Sequence, residues 1–406
     1  MPPNPPSARD ERSLRYPGWR VVFACFLMAM VCWGFGFYGH AFYLAELQRL
    51  HGWPASLIAG ATTVYYFCSA LLVVFINDAI SRFGVRASVL LGTIAFALAV
   101  AALPFVVAPW QVYAVYLLMA LGWATMSVGA ITNILGLWFE ARRGLAISLA
   151  LNGASFGGVT VVPALVFLAS GTDFTTAMLG GSAVILLVLA PLTFALLGGQ
   201  PPRAPDQAPR DASSQPATIA WSRASALRSL AFWSVSAPFS LALMSQAGFL
   251  VHQIAFLEPS LGRAQTGVAV AATTAMAIVG RLSLGTIAHR INQRLASALS
   301  LASQAAALLV MTQTNDPAVL LAACIVYGFS VGNLITFPAL IVQREFDAAS
   351  FGMLIGLSTA ITQFTYAFGP GLIGLVRDAA GSYSAAIFVC IGLNLTAAAI
   401  VLMRRR

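Results

Sequence analysis

The chain has 406 residues, of which 59% are hydrophobic and only 9% charged, with a formal net charge of +9. Soluble domains carry roughly 25% charged residues, so a water-exposed globule is excluded and the expected solvent is lipid. All 22 basic residues are arginines, lying singly or in pairs between long apolar runs apart from the polar opening, the linker and the final Arg404–Arg406, which excludes the clustered basic face of a nucleic-acid binder.

The opening residues, 1–18, are polar and Pro-rich, with no apolar core or cleavage site of a signal peptide; they predict a cytoplasmic leader. A spanning helix needs roughly 20 apolar residues. That window predicts spans at 19–44, 56–76, 88–107, 110–136, 145–169 and 177–198. A second set follows at 230–257, 265–288, 295–314, 317–342, 351–376 and 384–403. Residues 199–229, rich in Pro, Ala and Ser, cannot bury apolar surface and read as a linker. The expected fold class is all-α integral membrane: two six-helix bundles, 19–198 and 230–406, the second with a basic tail.

Arginine placement orients the chain. With the N-terminus inside, 18 arginines fall in cytoplasmic segments and three outside (Arg49, Arg263 and Arg377), as the positive-inside rule requires. Arg281 falls within a span. The halves echo each other at an offset of 208, which pairs Arg82 with Arg290, Arg86 with Arg294 and Gly144 with Gly352, as expected of parallel repeats. The five cysteines all sit in apolar stretches without CxxC spacing, and read as small buried hydrophobes.

The loop after the second span, NDAISRFGVR (Asn77–Arg86), resembles the loop signature of the major facilitator superfamily at Arg82, Gly84 and Arg86. Asn77 stands where that signature has glycine and Ser81 where it has aspartate; Asp78, three residues earlier on the same helical face, is the candidate substitute. The repeat copy keeps Gly285, Arg290 and Arg294 but has His289 in the acidic place. The resemblance implies that these loops latch the cytoplasmic side; plain topology anchoring is the alternative. The stretch Trp138–Gly153, WFEARRGLAISLALNG, together with Pro17-Gly18-Trp19, resembles the monocarboxylate transporter and oxalate/formate antiporter branch of that superfamily. Ser148 and Asn152 replace its glycine and alanine. Gly153, Gly157 and Gly158 are expected to let helices approach closely.

Arg281 lies about five residues past the middle of its span, roughly 7–8 Å along the axis. An arginine near the bilayer centre costs at least about 2.5–3.5 kcal/mol, and no acid in this span offsets it. A carboxylate substrate would, because the guanidinium fork binds it through two parallel hydrogen bonds; snorkelling to lipid phosphate is the alternative. The spacing Arg281-x-x-x-Gly285 matches the branch's eighth-span arginine, and the resemblance implies the same role. His252 and Glu258 are the ionisable residues of the seventh span, implied by the resemblance to serve substrate binding and proton coupling. Pro259 follows directly, so Glu258 equally marks the span's outer end. Arg377 could close an outer gate against Glu258. His40 is the titratable group in the outer half of the first span; the branch's nearby lysine is replaced here by Phe37. Tyr116, Tyr327, Asn333 and Gln363 are span polar groups expected to line the cavity, or to bind helices together.

These residues predict a secondary transporter of a small organic anion, a monocarboxylate before an oxalate-like acid, using alternating access and a proton as coupling ion. Anion exchange and export of hydrophobic compounds are the alternatives within transport. No catalytic or metal constellation appears: the four histidines fall in separate elements, and no nucleotide motif occurs. The chain is expected to work without a cofactor, as a monomer, multi-pass in the inner (plasma) membrane with both termini cytoplasmic.

Overall fold

The structure, a computed structural model, describes residues 11, 13, 15–140, 142–197, 221–287, 290–347 and 350–403. Most of the leader and linker, together with His289 and the final arginines, lie outside the described residues. Ten stretches are long and apolar enough to cross a membrane. One of them, Leu230–Leu284, is two spans, because Gly262 breaks the helix with φ 71°. Adding the helix pair over 351–380 makes twelve spans among the described residues.

In chain order they are α1 Gly18–His51, α2 Ala55–Val74, α3 85–105, α4 Pro109–Trp138, α5 Arg143–Gly171 and α6 Phe174–Leu196. The second half contains α7 230–261, α8 263–287, α9 Gln293–Gln313, α10 Pro317–Glu345, α11 351–380 and α12 Tyr383–Leu402. A short helix, Arg223–Arg228, precedes α7. Several spans run longer than the apolar window predicted; α1 continues to His51 through a π turn at Gly34–Tyr38. The face where α1 begins and α12 ends is called here the terminal face; the opposite one, with the loop Gly52–Pro54, is the far face.

Helices in lipid gain little from apolar contact alone, so close approach falls to small residues. A Cβ on Gly153 would stand 2.0 Å from the Phe26 carbonyl of α1, and one on Gly332 would stand 1.8 Å from the Ala277 carbonyl of α8. Neither neighbour can yield, because each is backbone. Gly332→Ala is therefore expected to cost about 1–3 kcal/mol, the range for overpacking a tight core, and to lower the thermal unfolding midpoint. Gly356→Ala, where a Cβ meets nothing within 4 Å, serves as the control and should leave the midpoint unchanged.

The two motifs nearest the terminal face touch each other. The Tyr16 hydroxyl donates to the Trp138 carbonyl, and Phe139 packs edge-on against both Tyr16 and Trp19. A Cβ on Gly18 would collide with the Tyr16 ring and stand 2.9 Å from the Phe139 ring. The Glu11 carboxylate accepts from the backbone N–H groups of Glu140 and Arg142. The entry to α1 thus clasps the α4–α5 loop.

Candidate functional site

Arg281 sits where the two halves meet. Its Nη1 lies 3.5 Å from the Ser155 hydroxyl of α5, so the side chain crosses between halves rather than reaching into lipid. Its Nε is buried and has no partner, and no carboxylate pairs with it among the described residues. Tyr38 of α1 is close enough to interact electrostatically with the guanidinium. Gly158 makes room for this crowding: a Cβ there would meet the Tyr38 ring and Thr274 of α8. Beyond Tyr38, rings run on through Phe37 and Tyr66 to Tyr366 of α11, with centroids 5.0–6.0 Å apart.

Toward the far face the halves are bolted together by charge. Glu46 of α1 is 4% exposed, and its carboxylate accepts from Arg49 one turn on and from Arg263 at the start of α8. Arg49 also pairs with Glu258 of α7. Each half therefore contributes one acid and one arginine, and the pairing crosses the seam. Beside this network, Asp378 of α11 accepts from the backbone N–H groups of Ala55 (3.2 Å) and Ser56 (2.7 Å), capping α2 from the other half. A carboxylate there satisfies orphan donors and complements the helix dipole. The Gly371 N–H donates to the Thr63 hydroxyl at 3.0 Å, completing an α2–α11 seam.

Nearer the terminal face the same helices expose their side chains: Leu71 and Val74 on α2, Leu149 and Asn152 on α5, and Gln363 on α11. The cross-seam pairs thus close the far face.

The expected Glu258–Arg377 gate is corrected. Glu258 reaches Arg49, whereas Arg377 donates to its neighbour Asp378 at 2.8 Å and lies over the Tyr383 ring, because α11 directs it along the α2 seam. His252 is buried and bridges within the second half, its ring nitrogens at 3.0 Å from the Pro370 carbonyl and 3.3 Å from the Tyr383 hydroxyl. His40 and Tyr116 are fully buried inside the first half, where Tyr43, Tyr65, Tyr66 and Tyr116 surround the His40 ring at 4.6–5.8 Å. Tyr327 is likewise enclosed, edge-on to Phe249. None of these three lines open space in this state, because their helices turn those faces into their own bundle. Asn333 is buried with its Oδ1 unpartnered, and Gln363 is exposed.

The latch residues separate. Arg294 is buried, forked onto Glu345 by two bonds of 2.8 Å and bonded to Ser234 and the Val401 carbonyl. It clamps α7, α9, α10 and α12 within one half. Its repeat partner Arg86 lies over Phe194, and Arg82 over Phe83. Asp78 is exposed, and no ion pair reaches it among the described residues. Arg290 is exposed just beyond the end of α8.

Sequence reasoning passed over Glu46, Ser155, Asp378 and Glu345, and saw Arg49 and Arg263 only as outside charges. Glu46 and Arg49 did carry a signal, an acid and a base three apart on one helix end.

The sequence profile described as Major Facilitator Superfamily matches residues 21–353. The chain belongs to the major facilitator superfamily. It is a multi-pass membrane transporter and not an enzyme. Mouse (Mus musculus) monocarboxylate transporter 11 is 28% identical over 330 residues, 76% of this chain and 70% of that one. Two solved structures share the fold. One is a bacterial homologue of the human lysosomal transporter Spinster in an inward-facing, occupied conformation, with TM-score 0.72, 15% identity and coverage of 94% of this chain and 96% of that one. The other is the nucleoside transporter NupG, with TM-score 0.72, 13% identity and coverage of 96% and 100%.

Proposed function

We propose that this superfamily member carries a small organic anion, a monocarboxylate first, by rocking its two halves about Arg281, with a proton as coupling ion. The observation that carries this reading is the Arg281 guanidinium, held between halves beside Ser155 and Tyr38 with no carboxylate to neutralise it among the described residues. A charge there needs a counter-charge, and a carboxylate arriving from the terminal face supplies it through a forked pair of hydrogen bonds. One guanidinium at this place favours one carboxylate over two.

The proton acts at the gate. Protonating Glu258 or Glu46 from the far face removes a negative charge from the chain Glu258–Arg49–Glu46–Arg263 and so loosens the seam. Coupling would then consist of opening that face only when an acid is neutral. In this reading the terminal face is cytoplasmic, as the arginine count requires, the membrane is the inner (plasma) membrane, the carrier acts as a monomer, and residues 199–229 link bundles 19–198 and 230–406.

Uptake of labelled lactate, pyruvate, formate and oxalate into proteoliposomes, with and without a pH gradient, tests the proposal. At least one monocarboxylate should accumulate with an inward proton gradient and stop accumulating when a protonophore collapses it. Exchange of oxalate against formate without a gradient would favour the antiport reading instead. If no carboxylate moves, the anion assignment fails.

A further inference from the structure

A polar cluster lies inside the first half, between the Arg281 site and the charged gate. His40 of α1 is fully buried, and neither of its ring nitrogens has a hydrogen-bond partner in the protein. Tyr65 of α2 and Tyr116 of α4 approach the imidazole at 4.6 and 4.8 Å between centroids. Their hydroxyls, and that of Tyr43, are buried and unpartnered as well. The Gly36 carbonyl and the Thr62 hydroxyl come near His40 and Tyr116 without closing a bond. The backbone is shaped around these groups: a Cβ on Gly36 would stand 2.7 Å from the Tyr65 hydroxyl, and one on Gly39 would stand 2.8 Å from that of Tyr43. Gly36 lies in the π turn of α1 and Gly39 directly follows it.

Each buried polar group left unmet costs free energy, and native folds leave few of them. Five such atoms in one place call for a ligand. An ion suits them poorly, since neutral hydroxyls and a neutral imidazole bring no charge to balance it. Water suits them well: it donates and accepts, as do the hydroxyls, and an imidazole presents one nitrogen of each kind. We infer that this cluster is an internal water site, and that its water carries the coupling proton between the gate and Arg281. On α1 the cluster stands between the two, with Glu46 six residues beyond His40, roughly 9 Å along the axis. On the other side the Tyr66 hydroxyl interacts electrostatically with those of Tyr116 and Tyr38, and Tyr38 with Arg281. The proton role rests on the proton-coupled reading above; the water site does not.

Removing a dry, unmet hydroxyl relieves its cost, whereas removing one bonded to water strands that water. Tyr43→Phe and Tyr65→Phe, each the loss of one oxygen, should therefore lower the thermal unfolding midpoint of the full chain in nanodiscs. X-ray radiolysis in isotope-labelled water, which oxidises side chains beside bound water, should label Tyr65 and Tyr116 but not Phe232, equally buried among apolar neighbours. Midpoints that hold or rise, or tyrosines that stay unlabelled, would overturn the water site. In proteoliposomes the double variant Tyr43→Phe/Tyr65→Phe should lose accumulation driven by a proton gradient yet keep counterflow of the same monocarboxylate without one. Wild-type accumulation, or loss of both activities together, would overturn the proton role. A wild-type protein with counterflow but no proton-driven accumulation would refute the coupling reading and this role with it, while the midpoints and labels still decide the water site.

Discussion

Arg281→Lys is expected to cut the initial rate of carboxylate uptake by at least roughly 30-fold, the lower edge of the ~2–5 kcal/mol lost when a buried hydrogen-bonded charge pair is broken. Lysine keeps the positive charge but not the planar fork, so a deficit with lysine isolates geometry from charge. Arg281→Gln, which removes both, should transport no better. The protein should still insert and fold, because Arg281 has one long polar contact, to Ser155, and supports no ion pair among the described residues. Proteoliposome rates normalised to monodisperse purified protein make the measurement. Rates within threefold of wild type for the lysine variant would remove Arg281 from the substrate site.

The second large effect belongs to Glu46, which holds arginines from both halves at once. Glu46→Gln leaves Arg49 with Glu258 alone and strips Arg263 of its described partner. Breaking a buried ion pair costs about 3–5 kcal/mol, but Arg49 and Arg263 are 40% and 28% exposed, so screening reduces the loss to about 1–2 kcal/mol. That is roughly a 5- to 30-fold shift of the two-state balance away from the far-closed form. Spin-label distances between Thr172→Cys and Gln313→Cys should move outward accordingly. Arg377→Gln, which leaves the Glu46 network intact, should move them less. An unchanged distribution in Glu46→Gln would show that the α2–α11 seam alone keeps the face shut.

Much of the architecture was legible in the sequence because its causes are local. The cost of exposing backbone and charge to lipid is settled within each run of about twenty residues, so the spans, the arginine-bearing loops and the small-residue contacts at Gly153 and Gly157 could be read one segment at a time. Arg281 stood out for the same reason: a guanidinium at mid-depth is costly whatever surrounds it. Only the tertiary structure decided which partners it lacks, and that its side chain turns toward Ser155 rather than to the interface. The gate was beyond local reading altogether. Glu46 and Arg263, Arg49 and Glu258, and Ser56 and Asp378 stand more than 200 residues apart, and nothing in either segment favours one cross-seam partner over another. Two bundles must first pack before Glu258 meets Arg49, whereas Arg377 finds its acid in its own chain neighbour, Asp378. His40 shows the converse: its position in the outer half of α1 was visible, but which side of that helix faces the bundle core was set by the π turn and by four tyrosines from α1, α2 and α4.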